Sequence, residues 1–240
     1  MAAQKIFLSD HSRLRTDHLF EGLTIEEQEY LRDAGVTHQY KKGEIIFREG
    51  GIPTGIFYVV AGRVKKYRVT AKGAEQISYL CGKGELLGYH ALLGEEHYPD
   101  SAAAIEDSRI TFIPKDSFLK VLRNSSALSN TLLKALGREF SLFINSITNL
   151  ATKSARERLA INLLILEEKF QPEGRTNGSD ISLSRTDLAN MVGTATETLV
   201  RLLQEFAKAG FIQKTEKTIR IIDRKGLVRE ANLSGLKTKK

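Results

Sequence analysis

Between residues 181 and 206 the apolar positions recur twice at helical spacing, interrupted by a single glycine. Leu188, Met191 and Val192 form one inward stripe, and Leu199, Leu202, Leu203 and Phe206 form the next. Ser184 with Asp187 three residues on offers an N-cap to the first helix. Ala189 is small where two such helices must approach closely. Gly193 suits the left-handed residue that ends the first helix, and Thr194 with Glu197 has the pattern of a second capping box. After Gly210, Phe211-Ile212 and Thr218-Ile219-Arg220-Ile221-Ile222 alternate as a short hairpin around Thr215-Glu216-Lys217.

Upstream the period changes. From Tyr40 to Ile113 short β-prone runs appear at 45–47, 56–60, 64–69, 76–80 and 109–113, separated by glycines, which predicts a closed or rolled β structure. Leu133, Leu136, Phe140, Phe143, Ile147 and Leu150 then fall at spacings alternating between three and four, a heptad seam on a long helix capped by Ser125 or Ser126. Leu128, Leu132 and Ile144 widen that stripe, so the seam is expected to face a second chain and the flank its own β domain. A hinge is expected at Ala151-Thr152-Lys153-Ser154. Ser154 with Glu157 then caps a helix striped by Leu159, Leu163, Leu166 and Phe170, and 171–180 is a polar loop.

The polar face of the last helix carries the chemistry. Thr196, Glu197, Val200 and Arg201 are suited to touching base edges, and Ser184, Arg185, Thr194 and Thr198 lie close by in sequence. Arg can donate a bidentate pair to guanine and Glu can accept from cytosine, each worth roughly 1–3 kcal/mol of discrimination. Lys214, Lys217 and Arg220 on the hairpin are placed to meet phosphates. This is the layout of a winged helix-turn-helix, whose second helix lies in the major groove of double-stranded DNA. The alternative is an ordinary Glu197–Arg201 surface pair worth about 0.2–0.5 kcal/mol. Two caps, a turn glycine and two agreeing stripes weigh against it.

Charge adds to this reading. Of the 36 Lys+Arg and 29 Asp+Glu in 240 residues, 17 and 11 fall in 151–240, so the net +7 sits almost wholly in the carboxyl half. The lysines at 237–240 are read as a solvated end. A single cysteine, Cys81 in an apolar run, excludes an intramolecular disulfide and a cysteine-ligated iron–sulfur cluster within the chain. No signal-peptide core and no run near the roughly 20 apolar residues of a membrane span is present, so a cytoplasmic protein with no membrane partner is expected. No metal-ligand spacing or catalytic arrangement emerges, and an enzyme has no support.

Lys42-Gly43-Glu44-Ile45-Ile46-Phe47-Arg48-Glu49-Gly50, then Gly62-Arg63-Val64, then Gly84-Glu85-Leu86-Leu87-Gly88 resemble the β-roll signature of the Crp–Fnr superfamily of bacterial regulators. With the helix-turn-helix, the resemblance covers about 18–223. It implies an α+β protein: an amino-terminal cyclic-nucleotide-binding-like β-roll (a double-stranded β-helix or jelly roll), a long dimerisation helix and a carboxyl-terminal winged helix-turn-helix. The corresponding segments are 1–17 as an amino-terminal stretch, 18–123 as sensor, 124–153 as dimerisation helix and hinge, and 154–240 as DNA-binding domain. By the same resemblance Gly84, Glu85, Gly88, Tyr89, His90, Asp100, Ser101 and Ala102 line the ligand pocket.

Members that bind cyclic AMP have a glutamate just after the glycine at 88 and an arginine before the Ser-Ala pair. This chain has Tyr89 and Asp100 there. Replacing a guanidinium by a carboxylate opposite a cyclic phosphate is expected to cost on the order of 10³-fold in affinity. Cyclic AMP is therefore disfavoured, the iron–sulfur chemistry that needs four cysteines is excluded, and haem on His90 or His97 is a minor alternative. The expected partners are promoter DNA, a second copy of the chain, RNA polymerase if the protein activates, and an unknown small-molecule effector. The arginine that the cyclic-AMP receptor protein has just before Glu197 is Thr196 here, so the half-site should lose one guanine contact. A rival of a different class is a ligand-binding scaffold whose helix-turn-helix contacts protein; the basic carboxyl half argues against it.

Overall fold

The computed structural model describes residues 20, 22–71, 73–170 and 180–232. In chain order the elements are α1 (Ile25–Ala34), β1 (Val36–Tyr40), β2 (Ile45–Phe47), β3 (Gly55–Ala61), β4 (Val64–Val69), β5 (Glu75–Cys81), β6 (Leu86–Leu87), α2 (Tyr89–Leu93), β7 (Ser101–Ala104), β8 (Ser108–Pro114), α3 (Lys115–Asn124), α4 (Ser126–Thr152), α5 (Ala155–Phe170), α6 (Arg185–Val192), α7 (Thr196–Lys208), β9 (Ile212–Lys214), β10 (Ile219–Ile221) and α8 (Arg224–Glu230). Two compact units divide inside α4, between Ser141 and Leu142.

The first unit is the β-roll. Two four-stranded antiparallel sheets, ordered β1-β8-β3-β6 and β2-β7-β4-β5, carry its core. Val59, Val64, Ile110 and Ala102 are fully buried, with Phe47, Phe57 and Tyr98 around them. Phe47 and Tyr98 stack with ring centroids 4.1 Å apart. A Cβ at Gly62 would lie 2.2 Å from Ser108 Oγ, and its φ of +88° is left-handed, so the β3–β4 turn admits only glycine at no cost.

All five expected strands form, within a residue at either end, and three more appear. Among the latter, β7 is Ser-Ala-Ala-Ala, a composition poor in strand formers. Its residues are buried between β2 and β4, where small side chains fit and tertiary packing overrides propensity.

Helix α4 starts with the Ser125 hydroxyl accepting the Leu128 N–H at 3.4 Å. Leu128 and Leu132 are buried in the core that also holds Ile56, Tyr89 and Phe118, and Ala135 is buried as well. Each buried leucine contributes about 1.5–3 kcal/mol. Leu136, on the expected seam, is half-buried and packs on one side against this same core. Ile144, expected on the packed flank, is instead exposed, alongside Leu133, Phe140, Phe143, Ile147 and Leu150. The helical period explains this: 144 falls four residues beyond Phe140 and three before Ile147, both exposed.

The second unit stacks α5, α6, α7 and α8 beside a two-stranded β9–β10 hairpin. Leu159, Leu163, Leu188, Val192, Leu199 and Phe206 are fully buried, and the 181 backbone pairs with Ile219 as a one-residue third strand. Helix α4 ends at Thr152 and α5 begins at Ala155, so the break falls within the expected hinge. The reciprocal box forms there: Ser154 N–H donates to Glu157 Oε2 at 2.7 Å, and Glu157 N–H to Ser154 Oγ at 3.2 Å. The hydrogen bond from the Ser154 backbone, with others from Asn232 and the Ser154 hydroxyl, holds the Glu157 carboxyl down at about 2. The expected loop over 171–180 lies outside the described residues apart from Asp180, as do residues 1–17 and 237–240.

Candidate DNA-binding face and sensor pocket

The turn between α6 and α7 is built as expected on one side. The Ser184 hydroxyl accepts Asp187 N–H at 2.9 Å, and Gly193 takes φ +70° as the C-cap of α6. The start of α7 differs. Its N-cap is Ala195, with no side-chain cap, so Thr194 and Glu197 do not form the expected box. The helix begins one residue later than the sequence pattern places it. Glu197 is thereby released: an exposed carboxylate in the first turn of α7, with no capping duty.

Glu197 also does not pair with Arg201. Arg201 Nη1 instead donates to Glu205 Oε1 at 2.8 Å, one turn further on, and the Arg201 side chain is 64% exposed. Thr196, Thr198 and Val200 are partly exposed around these two residues, and Thr194 lies partly exposed in the turn. The face thus presents a free carboxylate and a guanidinium one turn apart.

Two of the expected contacts have other duties. Arg185 Nη2 donates to the Thr215 carbonyl at 2.6 Å, tying α6 to the hairpin tip, while its Nη1 is buried without a hydrogen-bond partner. Burial pushes the Arg185 guanidinium below its usual range. Arg185 is therefore a brace for the wing more than a free phosphate ligand. Arg220 makes a bidentate pair with Asp180, both contacts 2.8 Å, so its Nε and Nη2 donors are already engaged by a carboxylate. Lys214 and Lys217 remain exposed on the hairpin. Its tip is closed by Thr215, whose hydroxyl accepts the Lys217 and Thr218 N–H groups.

Arg158 carried no signal in the sequence, since one arginine on a helix face reads as solubility. Its guanidinium donates to the carbonyls of Val192 at 2.7 Å, Gly193 at 3.1 Å and Lys153 at 2.6 Å. One side chain thus clamps the helix-turn-helix corner to the hinge.

In the β-roll, Gly84 and Gly88 take left-handed φ values and shape the loop around β6. Glu85 is buried and spent internally, accepting Gly82 N–H and Tyr79 O–H, both at 2.6 Å. Ser101 Oγ accepts Glu49 N–H at 2.9 Å, and Ala102 is wholly buried.

Around them lies a polar cluster that the sequence did not reveal, because its centre, Lys66, reads as an ordinary strand lysine. Lys66 Nζ is 2.8 Å from Glu139 Oε1 and 3.4 Å from Asp100 Oδ2. The other oxygen of Glu139 accepts Tyr89 O–H at 2.7 Å. Burial works against charge on Lys66, and Glu139 and Asp100 outweigh it, so its pKa is raised. Glu139 is held below the usual carboxylate range because Lys66, with His90, more than offsets burial. Tyr89 is pushed up by burial and by Glu139. Asp100 Oδ1 and His90 Nδ1 are buried without hydrogen-bond partners, and burial, with Lys66 behind it, lowers the His90 pKa. His97 Nδ1 hydrogen-bonds the Gly50 carbonyl at 2.8 Å.

Known proteins share both halves. The cyclic nucleotide-binding domain family matches residues 37–125, and the Crp-like helix-turn-helix domain family matches residues 157–230. The transcriptional activator protein FnrA of Stutzerimonas stutzeri is 31% identical over 188 residues, 78% of this chain and 77% of its own. The transcriptional activator protein anr of Pseudomonas aeruginosa is 30% identical over 203 residues, 84% and 83% of the two chains. This chain belongs to the Crp–Fnr family. It is a Crp–Fnr-type transcription regulator with a helix-turn-helix DNA-binding domain. The fold agrees with the structure of FixK2 from Bradyrhizobium japonicum, TM-score 0.72 at 23% identity, covering 81% of this chain and 96% of that one. No helix among the described residues of this Crp–Fnr regulator is long and apolar enough to cross a membrane.

Proposed function

We propose that this regulator is a cytoplasmic homodimer that reads an inverted-repeat promoter site and answers to an effector other than cyclic AMP. The observation that carries the DNA reading is the free face of α7: Glu197 unpaired with Arg201, and Arg201 64% exposed, one turn apart. In the major groove Glu197 is suited to accept from cytosine and Arg201 to donate to guanine, a single G·C-containing step in each half-site. Lys214 and Lys217 follow the backbone.

The dimer rests on the exposed seam of Leu133, Phe140, Phe143, Ile144, Ile147 and Leu150, an apolar stripe at heptad spacing that a second copy of α4 would cover. Two recognition helices related by a two-fold then meet half-sites about 34 Å apart. Two relatives bear the name of transcriptional activator, which supports an activating role through RNA polymerase.

Against cyclic AMP stands the donor set of the pocket. A cyclic phosphate would meet Asp100, whose Oδ1 already lacks a partner, and the nearby cation Lys66 is already held by Glu139 and Asp100. These residues do not fit that ligand. Nor does the single cysteine, buried in β5, fit a cysteine-ligated cluster. The test is selection from randomised duplex DNA: an inverted repeat with a G·C step in each arm supports the reading, and recovery of unrelated or single-arm sequences contradicts it.

A further inference from the structure

The Arg201 contact with Glu205 is the middle of a longer chain of charges. Glu205 Oε1 accepts from Arg201 Nη1 at 2.8 Å, and Glu205 Oε2 accepts from Arg156 Nη1 at 2.8 Å. Arg156 Nε in turn donates to Glu230 Oε2 at 2.6 Å, and its guanidinium carbon sits 4.8 Å from the centre of the Phe206 ring. Helix α7, through Glu205, and the last turn of α8, through Glu230, are thus both joined to the first turn of α5 by one guanidinium, that of Arg156. Both oxygens of Glu205 are committed, so it cannot swing freely as a lone surface glutamate does.

A guanidinium has two faces for bidentate donation. With Nη1 taken by Glu205, the Nε–Nη2 edge is the one left for O6 and N7 of a guanine. A long arginine side chain loses considerable rotamer freedom when it docks on a base, and a fixed acceptor beside it reduces that loss. We propose that Glu205, braced by Arg156, is a positioning residue that presents the Nε–Nη2 edge of Arg201 to the base. Specificity at that base pair therefore depends on a side chain that never touches DNA. This inference rests on the proposed base reading by Arg201.

The test uses the full-length protein and two duplexes: the best site recovered from randomised DNA, and the same site with the G·C step under Arg201 changed to A·T. The discrimination ratio between them is measured for wild type, Arg201→Ala, Glu205→Ala, Glu205→Gln and the double variant Arg201→Ala/Glu205→Ala. Glu205→Ala should lower the ratio about fivefold, a fraction of the full bidentate preference. Affinity for a random duplex should hold or rise, since a negative charge has been removed. Glu205→Gln keeps an acceptor for Nη1 and should restore most of the ratio. In the Arg201→Ala background, Glu205→Ala should change nothing further.

Glu205 is 39% exposed, so its truncation leaves no buried cavity, and a thermal melt of each variant confirms the fold. Full discrimination in Glu205→Ala would overturn the proposal and leave the Arg201–Glu205 contact an ordinary surface pair. So would an equal loss in both backgrounds, which marks a structural role. If Arg201→Ala itself retains the wild-type ratio, the base reading fails, and the positioning role fails with it.

Discussion

Lys66 of β4 and Glu139 of α4 form a buried ion pair, Nζ to Oε1 2.8 Å, that joins the β-roll to the helix carrying the exposed seam. Removing only the cation strands the buried Asp100 and the half-buried Glu139. Breaking a buried pair from one side costs about 3–5 kcal/mol. Lys66→Met should therefore lower the urea midpoint by that equivalent, whereas Lys41→Met, which breaks an exposed pair with Asp107, should leave the midpoint nearly unchanged. Equal effects from the two substitutions would show that the Lys66 cluster is not buried in solution.

Acid should loosen the hinge cap. Glu157 sits at about 2 in the folded chain against 4.5 when unperturbed, because the Ser154 backbone N–H, the Asn232 amide and the Ser154 hydroxyl all bond its ionised form. A depressed carboxylate stabilises the fold fully above pH 4.5, and that contribution is lost as the pH falls from 4.5 towards 2. Glu139, also lowered, adds a loss of the same sign. Urea midpoints recorded from pH 6 to 2.5 should fall, and Glu157→Gln should flatten part of that slope. An unchanged slope in the variant contradicts the cap.

The two basic groups on the DNA-binding unit should separate into distinct kinetic and specificity classes. Arg201→Ala should weaken selected-site binding by about 1–3 kcal/mol and relax preference at one base pair. Lys217→Ala should weaken all duplexes alike and reduce the salt slope by about one. Fluorescence anisotropy across a salt series distinguishes them; identical behaviour of the two variants would remove Arg201 from the reading face.

Isothermal titration with cyclic AMP should give no binding heat at micromolar ligand. Micromolar affinity that changes on substituting Asp100 would show that the pocket accepts a cyclic phosphate despite its carboxylate.

The elements built on periodic side chains were legible in the sequence. The stripes Leu188–Val192 and Leu199–Phe206, the Gly193 turn, the hairpin about Thr215 and the Ser154–Glu157 box all form where the spacing places them. What escaped reading depends on distant partners. Strand β7 exists because Ala102–Ala104 fit between β2 and β4, which no alanine run announces. The start of α7 at Thr196 departs from the Thr194–Glu197 pattern, and no side chain caps it. Lys66, Arg156 and Arg158 look like surface cations in sequence and turn out to be tied to groups from 5 to 74 residues away. Ile144 is exposed because it stands four residues from Phe140 and three from Ile147, a face that spacing alone could not tell from the packed flank.

Sedimentation velocity on the protein with one duplex of the selected site weighs the central claim most directly. Two chains per duplex are predicted, falling to a weak single-chain complex for Phe143→Asp, which places a charge in the exposed seam. A wild-type complex of one chain per duplex, or a Phe143→Asp variant that still assembles as two with full affinity, would contradict the account.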